Sequence, residues 1–258
     1  MGKVTWLGRA LLLASLLSWT GCQRASSTTP PVSLDSPPNY RIACADDQDC
    51  PESVALLVGL SAPEEPVRCT AALIGPRTAV TAGHCVSWEL SRGGGCEDVW
   101  LGFAGTHDRA PEWVGCGRIR AVSRTGGSLL VPDYAVLQLR SEAHRTSLPL
   151  RRGELGVGEV VRMVSVTPDR FYDDRHEVRS RRCVVDAGSK PTPWAPSVPA
   201  TVRVLSSCPI RLGNSGAPLL DQEGRMRGLV HAGGPPYFAF GLMTGTDRLP
   251  ADSAIVGE

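Results

Sequence analysis

Residues 69–85 read CTAALIGPRTAVTAGHC, and two β-strands are legible in them. Cys69 opens a short apolar run, Gly75-Pro76-Arg77 breaks it with turn residues, and a second short run ends on Thr81-Ala82-Gly83-His84-Cys85. Gly and Pro are the strongest local punctuation a chain has, so strand character stops and restarts there. The outcome is a histidine delivered at the end of a strand, with a cysteine beside it.

The same grammar governs most of the chain. Apolar runs such as VALLVGL (54–60), YAVLQL (134–139), EVVRMVSV (159–166) and MRGLVHAG (226–233) are short and rich in Val, Leu and Ile. Gly, Pro, Asp or Arg-Gly breaks separate them, and helical periodicity never persists beyond two turns. With Gly 28 and Pro 21 in 258 residues, long helices are not expected. Many short strands without intervening helices predict an all-β sandwich or barrel. No internal sequence repeat is visible.

Composition narrows the function classes. Hydrophobic content of 42% and charged content of 21% suit a globular chain with one large or two small domains, not a disordered or fibrous one. A net charge of +1 gives no reason to expect nucleic acid. The basic residues are nearly all Arg, and Arg170, Arg175, Arg179, Arg181 and Arg182 form a cluster that could attract an acidic partner, although such runs usually solvate a loop.

The first 21 residues read as a signal peptide: Lys3 and Arg9 precede ALLLASLLSWTG, which is too short to span a bilayer. Residues 22–52 follow as a Ser/Thr/Pro-rich tether with Cys44 and Cys50 closing a small loop, and 53–258 form the folded domain. Nine cysteines minus Cys22 leave eight, an even number suited to four disulfides in an oxidising compartment. No pair has zinc-knuckle spacing, so no metal is expected. Gly21-Cys22 resembles the lipobox of bacterial lipoproteins, with Trp19 where that pattern has a small aliphatic residue. The resemblance implies lipidation at Cys22 and a membrane surface as a partner; ordinary cleavage and release is the other outcome.

Three segments together resemble the chymotrypsin- or trypsin-like serine proteases. Thr81-Ala82-Gly83-His84-Cys85 matches that family's histidine segment, Asp133 entering Tyr134-Ala-Val-Leu-Gln-Leu139 its aspartate segment, and Gly213-Asn-Ser-Gly-Ala-Pro218 its serine loop. The order His, Asp, Ser is the family's, not that of subtilisins or α/β-hydrolases. The resemblance covers residues 53–248. It implies two six-stranded antiparallel Greek-key β-barrels with the active site in the cleft between them, His84 and Asp133 coming from the first half and Ser215 from the second. Ser215 is then the nucleophile, His84 its base, and Asp133 the group that orients the imidazole, while the Gly213 and Ser215 amides form the oxyanion hole. The implied disulfides are Cys69–Cys85 and Cys183–Cys208, followed by Cys96–Cys116 and Cys44–Cys50. No metal or organic cofactor is implied.

Departures from the pattern carry information. Asn214 stands where the animal digestive branch has an aspartate that pairs with a freed N-terminus, so activation by that ion pair is not expected. Asn here, with Cys208 seven residues before the serine, resembles bacterial secreted branches, including glutamyl endopeptidases. Pro209 occupies the position of the aspartate that gives trypsins their preference for Lys and Arg. The far wall of the substrate pocket falls on His231, Ala232, Gly233 and Gly234. Either His231 recognises an acidic side chain, as in the glutamyl branch, or it replaces the serine that supports the catalytic aspartate in trypsins. The function expected is a serine endopeptidase, secreted or lipid-anchored in a bacterial envelope, monomeric, with a polypeptide substrate. The alternative is a catalytically inactive protease-like binding module tethered to the membrane.

Overall fold

The two strands read from residues 69–85 are both present. They run Glu65–Gly75 and Thr78–Thr81, pair antiparallel, and are joined by the turn at Pro76-Arg77. The computed structural model describes residues 36–45, 50–62, 65–86, 95–123, 131–169, 172, 174–186, 203–234 and 237–251, all within the unit Pro31–Glu258. The N-terminal apolar stretch, Cys22 and the first part of the tether lie outside these residues.

In chain order the strands are β1 (Arg41–Cys44), β2 (Val54–Ala62), β3 (Glu65–Gly75), β4 (Thr78–Thr81), β5 (Trp100–Phe103), β6 (Glu112–Ser123), β7 (Tyr134–Leu139), β8 (Val160–Pro168), β9 (Arg175–Asp186), β10 (Arg203–Ser206), β11 (Pro218–Leu220), β12 (Met226–Gly234) and β13 (Tyr237–Gly245). Strands β2-β3-β4-β7-β6-β5 close into an antiparallel barrel. The second sheet runs β9-β10-β13-β12-β11-β8, and β8 pairs back onto β9, so it too closes into a ring of six. Closing both sheets pairs most strand edges among the described residues. Each barrel has the same connectivity: three strands in sequence, then three in reverse. The duplication is one of topology, with no trace in the amino-acid pattern.

The cores explain why these runs became strands. In β4 all four residues are buried, and in β7 Ala135, Val136, Leu137 and Leu139 are. One apolar cluster fills the first barrel and continues across the seam through Val164, Val166, Leu220 and Leu229 of the second. A smaller cluster around Met163, Val185, Leu205, Leu219 and Met243 fills the second barrel.

β1 lies in the stretch read as tether, yet it pairs parallel with β9, Ile42 opposite His176. Its four residues are too few, and too close to prolines, to signal a strand. Burial of Ile42 in the first barrel's cluster makes the strand worthwhile, at roughly 1.5–3 kcal/mol for a side chain of that size. The folded unit thus begins before residue 53. The four disulfides form as expected: Cys44–Cys50, Cys69–Cys85, Cys96–Cys116 and Cys183–Cys208.

Candidate active site

His84 sits on a single 3₁₀ turn, Gly83–Cys85, immediately after β4. Asp133 directly precedes β7, and because β4 and β7 pair with Thr81 opposite Ala135, the two residues are brought together by the sheet itself. Asp133 accepts twice from His84: the backbone N–H donates to Oδ1 at 3.0 Å and the ring Nδ1 to Oδ2 at 2.5 Å. A carboxylate can only accept, so this pairing assigns the ring proton to Nδ1 and leaves Nε2 as an acceptor. Nε2 lies 2.9 Å from Ser215 Oγ, which comes from the loop between β10 and β11. The His84 side chain is 38% exposed and that of Asp133 10%, so the imidazole faces the cleft and the carboxylate is sheltered behind it.

The serine loop hangs from Thr70 on β3. The Thr70 backbone N–H donates to the Ser215 carbonyl at 2.7 Å, and its hydroxyl donates to the Gly213 carbonyl at 2.6 Å. That hydroxyl also accepts the Val166 N–H at 2.9 Å, so one side chain joins β3, β8 and the loop. Gly216, at φ +82°, packs against the Thr70 carbonyl so closely that a Cβ would lie 2.0 Å from it. Asn214 braces the loop from within: its Oδ1 accepts the Arg211 N–H at 2.7 Å, and its own N–H donates to the Arg211 carbonyl at 3.0 Å. The N–H groups of Asn214, Gly216 and Ala217 all have backbone acceptors, whereas among the described residues those of Gly213 and Ser215 have none. Gly213 reaches this arrangement at φ +90°.

Behind Asp133 lies a second arrangement that the sequence does not advertise. The Asp133 N–H donates to Thr244 Oγ1 at 3.0 Å, and the same oxygen is 3.0 Å from His231 Nδ1. Both Thr244 and His231 are fully buried. The Thr244 hydroxyl bridges the Asp133 N–H and the His231 ring. His231 is therefore placed behind the aspartate, through Thr244.

A family model described as trypsin-like peptidase domain matches residues 69–229, which takes in His84, Asp133 and Ser215. The chain belongs to the trypsin-like peptidase family. Among solved structures, it is similar to the scabies mite inactivated protease paralogue S-I1, with a TM-score of 0.59 and 18% identity over 76% of this chain and 90% of that one. It is similar also to GrC, with a TM-score of 0.58 and 16% identity over 83% and 92%. No curated protein matches the chain in sequence.

Pro209 is partly exposed and lines a cavity of about 510 Å³ with Arg211 and Asn214. β12 pairs with β11 only as far as Leu229, and its residues Ala232 and Gly233 pair on the other side with Leu242 and Gly241 of β13. Among the described residues, the β11-facing edge of β12 beyond Val230 carries no strand. His231 itself falls at a register shift between Val230 and Ala232. Cys69, His84 and Cys85 also gather within 4.8 Å of one another. The two sulfurs are joined to each other, so this group cannot act as a thiolate metal site.

Proposed function

We propose that the domain is a serine endopeptidase that cleaves through an acyl-enzyme. The observation that carries this reading is the single line of contacts Asp133–His84–Ser215, at 2.5 and 2.9 Å. In it, Ser215 Oγ attacks the scissile carbonyl while His84 Nε2 takes its proton. The oxyanion that forms is held by the Gly213 and Ser215 N–H groups, which have no backbone acceptor among the described residues. His84 returns the proton to the leaving amine, and water then repeats the sequence on the acyl-enzyme. Asp133 fixes the tautomer and stabilises the imidazolium. The test is a fluorophosphonate probe on the full chain beside Ser215→Ala. Labelling of wild type alone is expected; failure to label folded, disulfide-bonded protein would establish the inactive binding module instead.

Bracing by Asn214 and by Thr70 supports competence without a freed N-terminus: the oxyanion turn is held by contacts within residues 211–217 and to β3. Peptide substrate is expected to lie along the open edge of β12 at Ala232–Gly234. Pro209 offers no carboxylate for a basic side chain, so a peptide-library digest should not be dominated by cleavage after Lys or Arg. Four disulfides place the folded domain in an oxidising, extracytoplasmic setting. Lipid attachment at Cys22 in a bacterial envelope is proposed from the Gly21-Cys22 pattern; incorporation of radiolabelled fatty acid should vanish in Cys22→Ala, and equal labelling of both would refute it.

A further inference from the structure

The arginine cluster of β9 is not a solvated loop. Arg179 and Arg181 alternate on one strand, so they share a face, and both line the 510 Å³ cavity at the back of the serine loop. Arg211, more than twenty residues away in sequence and at the start of that loop, lines it too. Ser165 and Thr167 of β8 and Asn214 add polar groups. Among the described residues no carboxylate lines the cavity. Glu177, on the same face of the strand, accepts from Arg179 through Nε at 2.8 Å and also Nη2, and is not part of the lining. Arg211 has no acidic partner among the described residues. Arg179, Arg181 and Arg211 thus line one cavity from two elements, and a guanidinium matches the chemistry of a carboxylate or phosphate group, which accepts paired N–H bonds from its planar fork.

We propose that this cavity binds a small oxyanion-bearing molecule, and that the bound anion ties Arg211 to Arg179 and Arg181. The ligand then fastens residues 211–214 to β9, steadying the loop that carries Gly213 and Ser215. Regulation of catalysis by this route rests on the peptidase reading; the binding itself does not.

The experiment separates the two. Calorimetric titration of the full Ser215→Ala chain uses inorganic phosphate, succinate and chloride at equal ionic strength. Saturable binding of phosphate points to a phosphate ligand and of succinate to a carboxylate one, with chloride giving none. Affinity should fall at least tenfold in Arg179→Gln/Arg181→Gln and persist in Arg118→Gln, which removes an exposed guanidinium from the first barrel. Absence of saturable binding by both anions, or undiminished binding in the double variant, would overturn the site. In the wild-type chain the binding anion should raise kcat severalfold over the same concentration range; binding with unaltered kcat would overturn the coupling to the loop. A chain that binds the anion but hydrolyses nothing would refute the peptidase reading and leave the site standing.

Discussion

Thr244 shows how a residue with no visible signature comes to matter. His84, Asp133 and Ser215 are legible in sequence because each sits in a short string whose neighbours are also constrained: a cysteine to pin the histidine, a strand to follow the aspartate, glycines on either side of the serine. A threonine inside a strand carries no such string, and neither Thr70 nor Thr244 stands out from its run. Position alone gives Thr244 its role, as the acceptor for the Asp133 N–H and the hydrogen-bond partner of His231 Nδ1. Thr244→Val keeps the volume and removes the acceptor of the buried Asp133 N–H, at about 1–3 kcal/mol. We expect kcat to fall by about tenfold or more with KM little changed, and Thr244→Ser to restore it. Steady-state kinetics on a chromogenic ester will check this; a loss in KM alone would assign Thr244 to substrate binding instead. Asp133→Asn, which disturbs the tautomer directly, should cost about 10⁴-fold in kcat.

Among the elements, β1 is the one the amino-acid pattern conceals, and it carries a pH dependence. His176, opposite Ile42 of β1, is buried with neither ring nitrogen hydrogen-bonded among the described residues, and it meets Tyr40 edge to face at 4.9 Å. Burial first, and then the Arg68 guanidinium, lower its pKa from 6.5 to about 4, against a smaller opposing pull from Asp174. Arg68 itself donates to the Tyr40 hydroxyl at 3.0 Å, so the cation is held in place. The unfolded chain therefore binds a proton that the folded one refuses between about pH 6.5 and pH 4. Stability is fully present above that window and declines as pH falls through it, by about 3 kcal/mol at most. Denaturant unfolding followed from pH 8 to pH 4 should show this decline, and His176→Phe should flatten it. An unchanged slope in the variant would assign the pH dependence to other groups. The barrels themselves were within reach of sequence because strand-length apolar runs and turn residues recur throughout. β1 was not, because its stability comes from burying Ile42 against a distant barrel.

At the scale of the molecule, two closed sheets of identical connectivity meet where the first barrel's core continues across their seam, and the disulfides reinforce them locally. Cys69–Cys85 spans a separation of 16 residues and joins the strand before Thr70 to the turn that bears His84. Replacing both cysteines by alanine should lower the unfolding free energy by about 3 kcal/mol, as expected for a loop of that length. Activity should fall by more than the loss of folded protein explains, measurable as turnover per active-site-titrated molecule; loss in strict proportion to the folded fraction would reduce the bridge to a general staple. Thr70 gives this arrangement a further meaning. Although Ser215 belongs to the second barrel's half of the chain, its carbonyl and that of Gly213 are anchored to a strand of the first, the strand adjoining His84. Ser215 is thus indexed to His84 through Thr70 as well as through the seam. On the proposed peptidase reading, that one threonine sets the spacing over which His84 takes the serine proton.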